Sequence, residues 1–305
     1  MVQKMNKRVY SVIGVKSVMA NWNADFTGYP KEISDGTIFG SDKALKYAMK
    51  KVWDNQGEKV LYIKSYKMDG DKIQPRDLKE RYKYVFETDE LSEKTKSEEI
   101  LKCLFKAIDV RQFGATFAEA KNNISITGAV QVGQGLSKYH KDTHEQQILS
   151  PFRDSKDGDA ANSTIGTKIV SEETHYFYPV SINPNAYNDY EALGVTDGYT
   201  EADYKNYKNV ALIAATAINT NSKAGCENEF ALFVEVGEKV YLPDLTQFIK
   251  FTKNEDGKDK ITINLANVLK GLDVQAIEVY YNYDTIEIDC DVKAKNYNIF
   301  TREEV

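Results

Sequence analysis

Twice along this chain a β-branched run leads into an amphipathic helical pattern and then into a second apolar run. The first cycle is Val9–Val18, a helix over roughly 42–53, and Asn123–Val132. The second is Lys168–Pro179, a helix over Glu201–Asn219, and Phe230–Val236. Strand, helix, strand, given twice, is the ferredoxin-like order, an α+β arrangement. RNA-recognition domains use it and read nucleic acid on the sheet face and adjoining loops, although the order alone establishes no function. A further strand is predicted over Lys59–Tyr66. Residues 67–100 are highly charged, with short helices near 77–86 and 96–108, and read as an insertion. Gly135–Thr167 has little periodic apolar pattern and reads as a long polar excursion of the kind that carries function. Residues 238–290 add strands at Ile277–Tyr281 and Thr285–Ile288 and a helix near 264–270. No repeat of 20–50 residues is visible, and residues 1–305 are read as one elaborated domain.

The first helix has two chemically opposite faces. Leu45, Ala48, Met49 and Val52 follow the spacing of a buried stripe, while Lys43, Lys46 and Lys50 fall on nearly the other side. Ser41 is placed to N-cap it, and a dipole-positive helix start beside a lysine row attracts phosphate. Solvated lysines on an outer helix face are common, so charge distribution matters here. The chain carries a net charge of −6. Residues 1–53 nevertheless hold nine Lys or Arg against four Asp or Glu. An acidic total argues against indiscriminate coating of nucleic acid but leaves room for a basic groove.

Three widely spaced cysteines form no CxxC pair, so neither a disulfide framework nor a zinc knuckle is indicated, and a reducing cytoplasm fits. Residues 1–10 are polar and basic without an apolar stretch after them, and the longest apolar helical run, Val210–Ile218, is too short to span a bilayer.

Several local motifs invite specific chemistry. In Asn21-Trp22-Asn23-Ala24-Asp25-Phe26-Thr27-Gly28 the amides can donate to phosphate or base edges, and Trp22 or Phe26 can stack on a base; an Asx-rich turn with Trp22 in the core is the alternative. Asp25 suits a nuclease but suits turn capping better. The glycines of Gly128–Gly135 lack the lysine of a phosphate-binding loop, and Lys138 occupies the third glycine position of a dinucleotide fingerprint, so both readings fail. What remains is a strand end open to close approach by another backbone or a ribose phosphate. His140 and His144 have helical chelate spacing but no third ligand, and read as solvated loop histidines. His175 has no fixed acid–base partner in the sequence. Asn219–Gly225 suits a helix stop, and Lys223 there can also reach a phosphate.

Taken together, these segments resemble the RNA-binding backbone subunit of type I CRISPR surveillance complexes (Cascade), closest to the subtype I-B form. The carrying stretches are 17–28, 41–51, Asp109–Phe117, Ile124–Gly135, Ser163–Lys168 and Asn219–Gly225, in that order. The resemblance implies an RRM-like palm with helical fingers, near 67–122, and a β-hairpin thumb, near 136–172. It implies copies lined head to tail along one guide RNA (crRNA), with bases left free to pair with target DNA, and other Cascade subunits as partners. By motif position it assigns RNA contact to Ser41, Lys43, Lys46 and Lys50, and with less support to Asn21, Gln112, Lys168 and Lys223. It implies neither catalytic residues, metal nor cofactor. Two other readings compete: a ferredoxin-like endoribonuclease using His175 or a thumb histidine, and a self-assembling protein unrelated to RNA, with the tyrosines at 280, 281 and 283 as its interface.

Overall fold

Alternate side chains of the first strand enter two different cores. In β1 (Lys7–Ala20), Val9, Ile13 and Val15 pack on one side and Val12 on the other, the period of two that a doubly covered strand imposes. The computed structural model describes residues 3–89, 91–153 and 162–305, without the side chains of 150–153 and 162–165. After β1 come β2 (Phe39–Gly40), α1 (Asp42–Asn55), β3 (Tyr66–Asp69), β4 (Lys72–Pro75), α2 (Leu78–Phe86), α3 (Ser97–Leu104) and α4 (Ile108–Phe113). Then follow β5 (Gly114–Glu119), β6 (Asn122–Thr127), β7 (Val130–Val132), β8 (Gly135–Arg153) and β9 (Asn162–Ile182). Next are α5 (Asn188–Ala192), α6 (Glu201–Ala211), α7 (Ala214–Ala217), β10 (Cys226–Gly237), β11 (Ile249–Thr252) and β12 (Asp259–Ile263). The chain closes with α8 (Ala266–Leu269), β13 (Val274–Tyr281), β14 (Ile286–Cys290) and β15 (Lys295–Asn298).

The main sheet runs β15-β13-β10-β1-β9-β8-β2, with β7 also on β9. β1 lies between β9 and β10, antiparallel to both. Helices α1, α4, α6 and α7 fill one face through Leu45, Met49, Val110, Tyr207 and Ala214, against Ile13, Tyr178 and Phe233. The three-stranded sheet β11-β12-β14 lies on the other face and shares a core with Val12, Phe177, Leu232 and Val234. Among the described residues no helix is long and apolar enough to cross a membrane.

The expected strands at 9–18, 168–179, 230–236 and 277–281 and the helices at 42–53 and 77–86 are present. The expected strand over Lys59–Tyr66 is not, because side chains take its backbone groups. The Leu61 and Tyr62 amides donate to the Asp109 carboxylate at 2.8 Å each, and the Val60 and Leu61 carbonyls accept from Arg81. Asn123–Val132 is not one strand but two, β6 pairing with β5 and β7 with β9. Gly128 separates them where a Cβ would overlap the Phe113 backbone. The polar excursion at 135–167 contains the long antiparallel pair β8–β9, while 154–161 lies outside the described residues. The single helix expected over 201–219 breaks between α6 and α7. Asn228 mediates the break, accepting from the Ala215 amide at 2.8 Å and donating to the Ala211 carbonyl at 2.9 Å.

Candidate nucleic-acid interface

Asn21 joins segments that lie far apart in the chain. Its amide N–H donates to the Ser222 carbonyl at 2.9 Å, and its Nδ2 donates to the carbonyls of Gly28 at 2.8 Å and Ile169 at 3.2 Å. Its own carbonyl accepts from Lys223 Nζ at 2.6 Å. The loop after β1, β9 at Ile169 and the loop before β10 are thereby tied to one buried residue, the last through its backbone. Asn21 Oδ1 is sealed without a partner among the described residues. Burial pushes the Lys223 ammonium below its ordinary value.

The next residues lock the start of α1. Asn23 Oδ1 accepts from the Ser41 amide at 2.7 Å, and Ser41 Oγ accepts from Ala44 N–H at 3.3 Å, the predicted N-cap. Gln134 Nε2 donates to Asp42 Oδ1 at 3.2 Å, and the Asp42 amide donates to Gln134 Oε1 at 3.3 Å. Neither Asn23 nor Gln134 is among the site residues read from the sequence. An Asx-rich turn and a glutamine in a glycine run are common, and neither signals where it docks.

The lysine row divides along the helix. Lys43 is exposed. Lys46 is half-buried, 2.9 Å from Asp42 Oδ2 and over the Phe113 ring at 5.5 Å. Lys50 turns inward. Its side chain is 17% exposed, its Nζ is 3.8 Å from Asp109 Oδ2, and it donates to the Tyr62 carbonyl at 3.4 Å. Burial pushes Lys50 down and Asp109 up, so desolvation outweighs the pair's attraction on both sides. The row is thus not one uniform ridge facing away from the core.

Lys168 is half-buried on β9 beside Ile169 and has no ion pair among the described residues. Gln112 is fully buried, its Nε2 donating to the Asp203 carbonyl and its Oε1 accepting from the Tyr199 hydroxyl. Its amide is spent joining α4 to α6 and does not reach the surface. Asn21, Lys223 and the Lys168–Ile169 stretch therefore meet at one place, with Ser41 and Lys43 joined to it through Asn23. Gln112 and Lys50 do not.

The other motifs resolve by burial. Trp22 is in the core, with its Nε1 donating to the Tyr178 hydroxyl at 2.5 Å, so it offers no ring to a base; Phe26 is the exposed one. Asp25 Oδ1 accepts from Thr27 Oγ1, Thr27 N–H and Tyr29 N–H, and these bonds hold its carboxyl below the usual range in a turn-capping role. Gly133 and Gly135 make room for Pro179 and Tyr178 rather than for a ribose phosphate. His140 and His144 lie on a strand, not a helix, and face Thr174 and Glu172. His175 is sealed from solvent, and the one three-residue group with metal-ligand types among the described residues, Glu173, His175 and Asp259, already holds the Lys253 ammonium at 2.9 and 3.2 Å.

A family model described as CRISPR-associated protein Cas7 matches residues 7–268. No curated protein matches the chain. One solved chain similar in fold belongs to a "CRISPR RNA-guided surveillance complex". It is 13% identical, with 94% of this chain and 95% of that one covered and a TM-score of 0.51. Another, from a "CRISPR RNA-guided surveillance complex, pre-nicking", is 12% identical over 77% and 80% of the two chains, with a TM-score of 0.47.

Proposed function

The chain belongs to the Cas7 family of CRISPR-associated proteins, and on that basis we propose that it is the crRNA-binding backbone subunit of a type I Cascade complex. In this reading the sheet around β1, with α1 and α6, is the ferredoxin-like palm. Residues 67–122 are the fingers and the β8–β9 pair within 136–172 is the thumb. Copies stack head to tail along one guide RNA in the cytoplasm, beside other Cascade subunits, and leave guide bases free for target DNA. A heterologous interface that does not close gives such a filament, and guide length limits it. The subunit holds RNA and does not cut it.

The convergence at Asn21 carries this reading. With Asn23 it ties the 17–28 stretch to Ser41, to β9 at Ile169 beside Lys168, and to Ser222 and Lys223, and Lys43, Lys168 and Lys223 are exposed or half-buried. A guide of variable sequence has to be held by phosphate and ribose, and lysines, backbone amides and a capped helix start suit that task. The endoribonuclease alternative loses one of its two choices of acid–base group, because the His175 ring has no solvent-exposed surface, while the exposed His140 and His144 face Thr174 and Glu172. Co-expression with the neighbouring genes, purification at moderate salt and sequencing of the bound nucleic acid test the proposal. Uniform repeat-spacer RNA in a multi-copy particle is expected; a nucleic-acid-free monomer overturns it.

A further inference from the structure

The ribbon β3–β4 is turned inside out. Tyr66 pairs with Pro75 and Met68 with Ile73, which places these four residues on one face, and all four are exposed, Met68 by 64% and Ile73 by 71%. The opposite face carries Lys67, which is ion-paired with Glu80 of α2. A free ribbon gains by burying its apolar face, so an apolar face held outward marks a contact surface.

The rings beside it are capped by cations. Lys64 Nζ lies 5.1 Å over the Tyr66 ring, and Arg76 Cζ lies 4.1 Å over the Tyr84 ring, with Arg81 at 5.5 Å from the same ring. Tyr66 and Tyr84 remain more than half exposed. Together with Arg76, Arg81 and Lys59 they line an open cleft of about 700 Å³. Asp54, Glu58 and Glu87 also line the cleft, and Asp54 is already paired with Lys51 and Arg81. Residues 64–84 carry seven Lys or Arg against four Asp or Glu, on a chain of net charge −6. Two of those acids are engaged, Asp77 as the α2 N-cap and Glu80 with Lys67. The other two acids of this stretch, Asp69 and Asp71, lie at the ribbon's turn, away from the Tyr66 end, while Glu58 and Glu87, outside it, line the cleft without an ion pair among the described residues.

We propose that this face is a second nucleic-acid surface, which takes a single strand outside the guide interface. Bases stack on Tyr66 and Tyr84, where exposed rings flanked by cations form a sequence-tolerant platform. Lys64, Arg76 and Lys79 neutralise the phosphates, and Met68 and Ile73 lie against base or sugar. Local positive charge on an acidic chain favours a polyanion over a second copy of this protein.

The test uses the purified particle and a labelled oligothymidine strand as probe, which tolerates stacking and has no designed complement in the guide. Anisotropy is followed across a salt series for the parent, Tyr66→Ala/Tyr84→Ala, Tyr66→Phe/Tyr84→Phe and Arg76→Ala. The double alanine variant is expected to bind about tenfold more weakly or worse, and the double phenylalanine variant like the parent. Arg76→Ala is expected to lower the salt slope by about 0.7. Guide content and particle mass stay constant throughout. Parent-like binding by a folded double alanine variant overturns the proposal, as does a parent that does not bind the probe. A change in particle mass with probe binding intact also overturns it and makes the face a protein interface. The probe assay runs equally on an RNA-free monomer, so failure of the guide reading leaves this test standing.

Discussion

His175 Nδ1 lies 2.7 Å from Glu229 Oε1, with both residues sealed between the main sheet and the sheet formed by β11, β12 and β14. A β-bulge creates this pairing. Gly14 opposes Phe230 and Val15 opposes Asn228, so Glu229 is the extra residue of β10, and the bulge redirects it. The imidazole also stacks on Phe251 of β11 at 4.0 Å, and its Nε2 faces Glu173, which Lys253 links to Asp259. The cluster is thus a polar joint between two layers.

Burial alone lowers the His175 pKa, but Glu229 and Glu173 outweigh it and raise the group above its ordinary 6.5. A raised pKa in the folded state adds stability that is complete below about 6.5 and fades as pH rises through the folded value. Denaturant unfolding of the parent and of His175→Gln across pH 6 to 9 is expected to show the parent losing the greater stability on the alkaline side. Parallel curves refute the assignment.

Lys50 and Lys43 separate in their effects. Lys50→Ala leaves the buried Asp109 carboxylate with its two amide donors but without its cation and is expected to cost about 1–3 kcal/mol by urea unfolding. Lys43→Ala, on the exposed side, is expected to change stability by less than about 0.5 kcal/mol. Equal costs for the two would remove the distinction drawn between them.

Lys43→Ala and Lys168→Ala are expected to weaken guide-RNA binding to the same degree for unrelated RNA sequences. Removing the cation from one phosphate lowers the slope of log affinity against log salt by about 0.7. Sequence-dependent losses, or unchanged slopes, count against a phosphate-binding role at these positions.

Gly40 crosses the Trp22–Tyr178 pair, and a Cβ there would overlap the Tyr178 hydroxyl and lie 2.8 Å from Trp22 Cδ1. Gly40→Ala is expected to cost about 3 kcal/mol or more and to disturb the α1 start with it. Gly36→Ala meets no neighbouring atom, although its φ of +84° adds local strain, and should cost about 1 kcal/mol. Thermal melts of the two variants compare directly.

Much of the framework is readable from residue order. The α1 stripe of Leu45, Ala48, Met49 and Val52 and the Ser41 cap are local signals that the structure follows. The strands at 9–18 and 230–236 are equally local. The missing strand at 59–66 is not legible, because Asp109 and Arg81, distant in sequence, capture its backbone. The same holds at the candidate site. Spacing places Lys43, Lys46 and Lys50 on one face, but only a packed neighbour, Asp109, makes Lys50 an interior residue.

Residue order is sufficient for strands and helices wherever hydrophobic period and capping act within a few residues, and it carries the family motifs in sequence. It does not say which polar groups remain available to a ligand; the packed fold settles that. Gln112, Trp22 and His175 are polar or aromatic types suited to RNA, yet each is spent on a partner dozens of residues or more away. Burial makes an unpaired polar group costly, so long-range neighbours, which no local pattern encodes, set the role of each side chain.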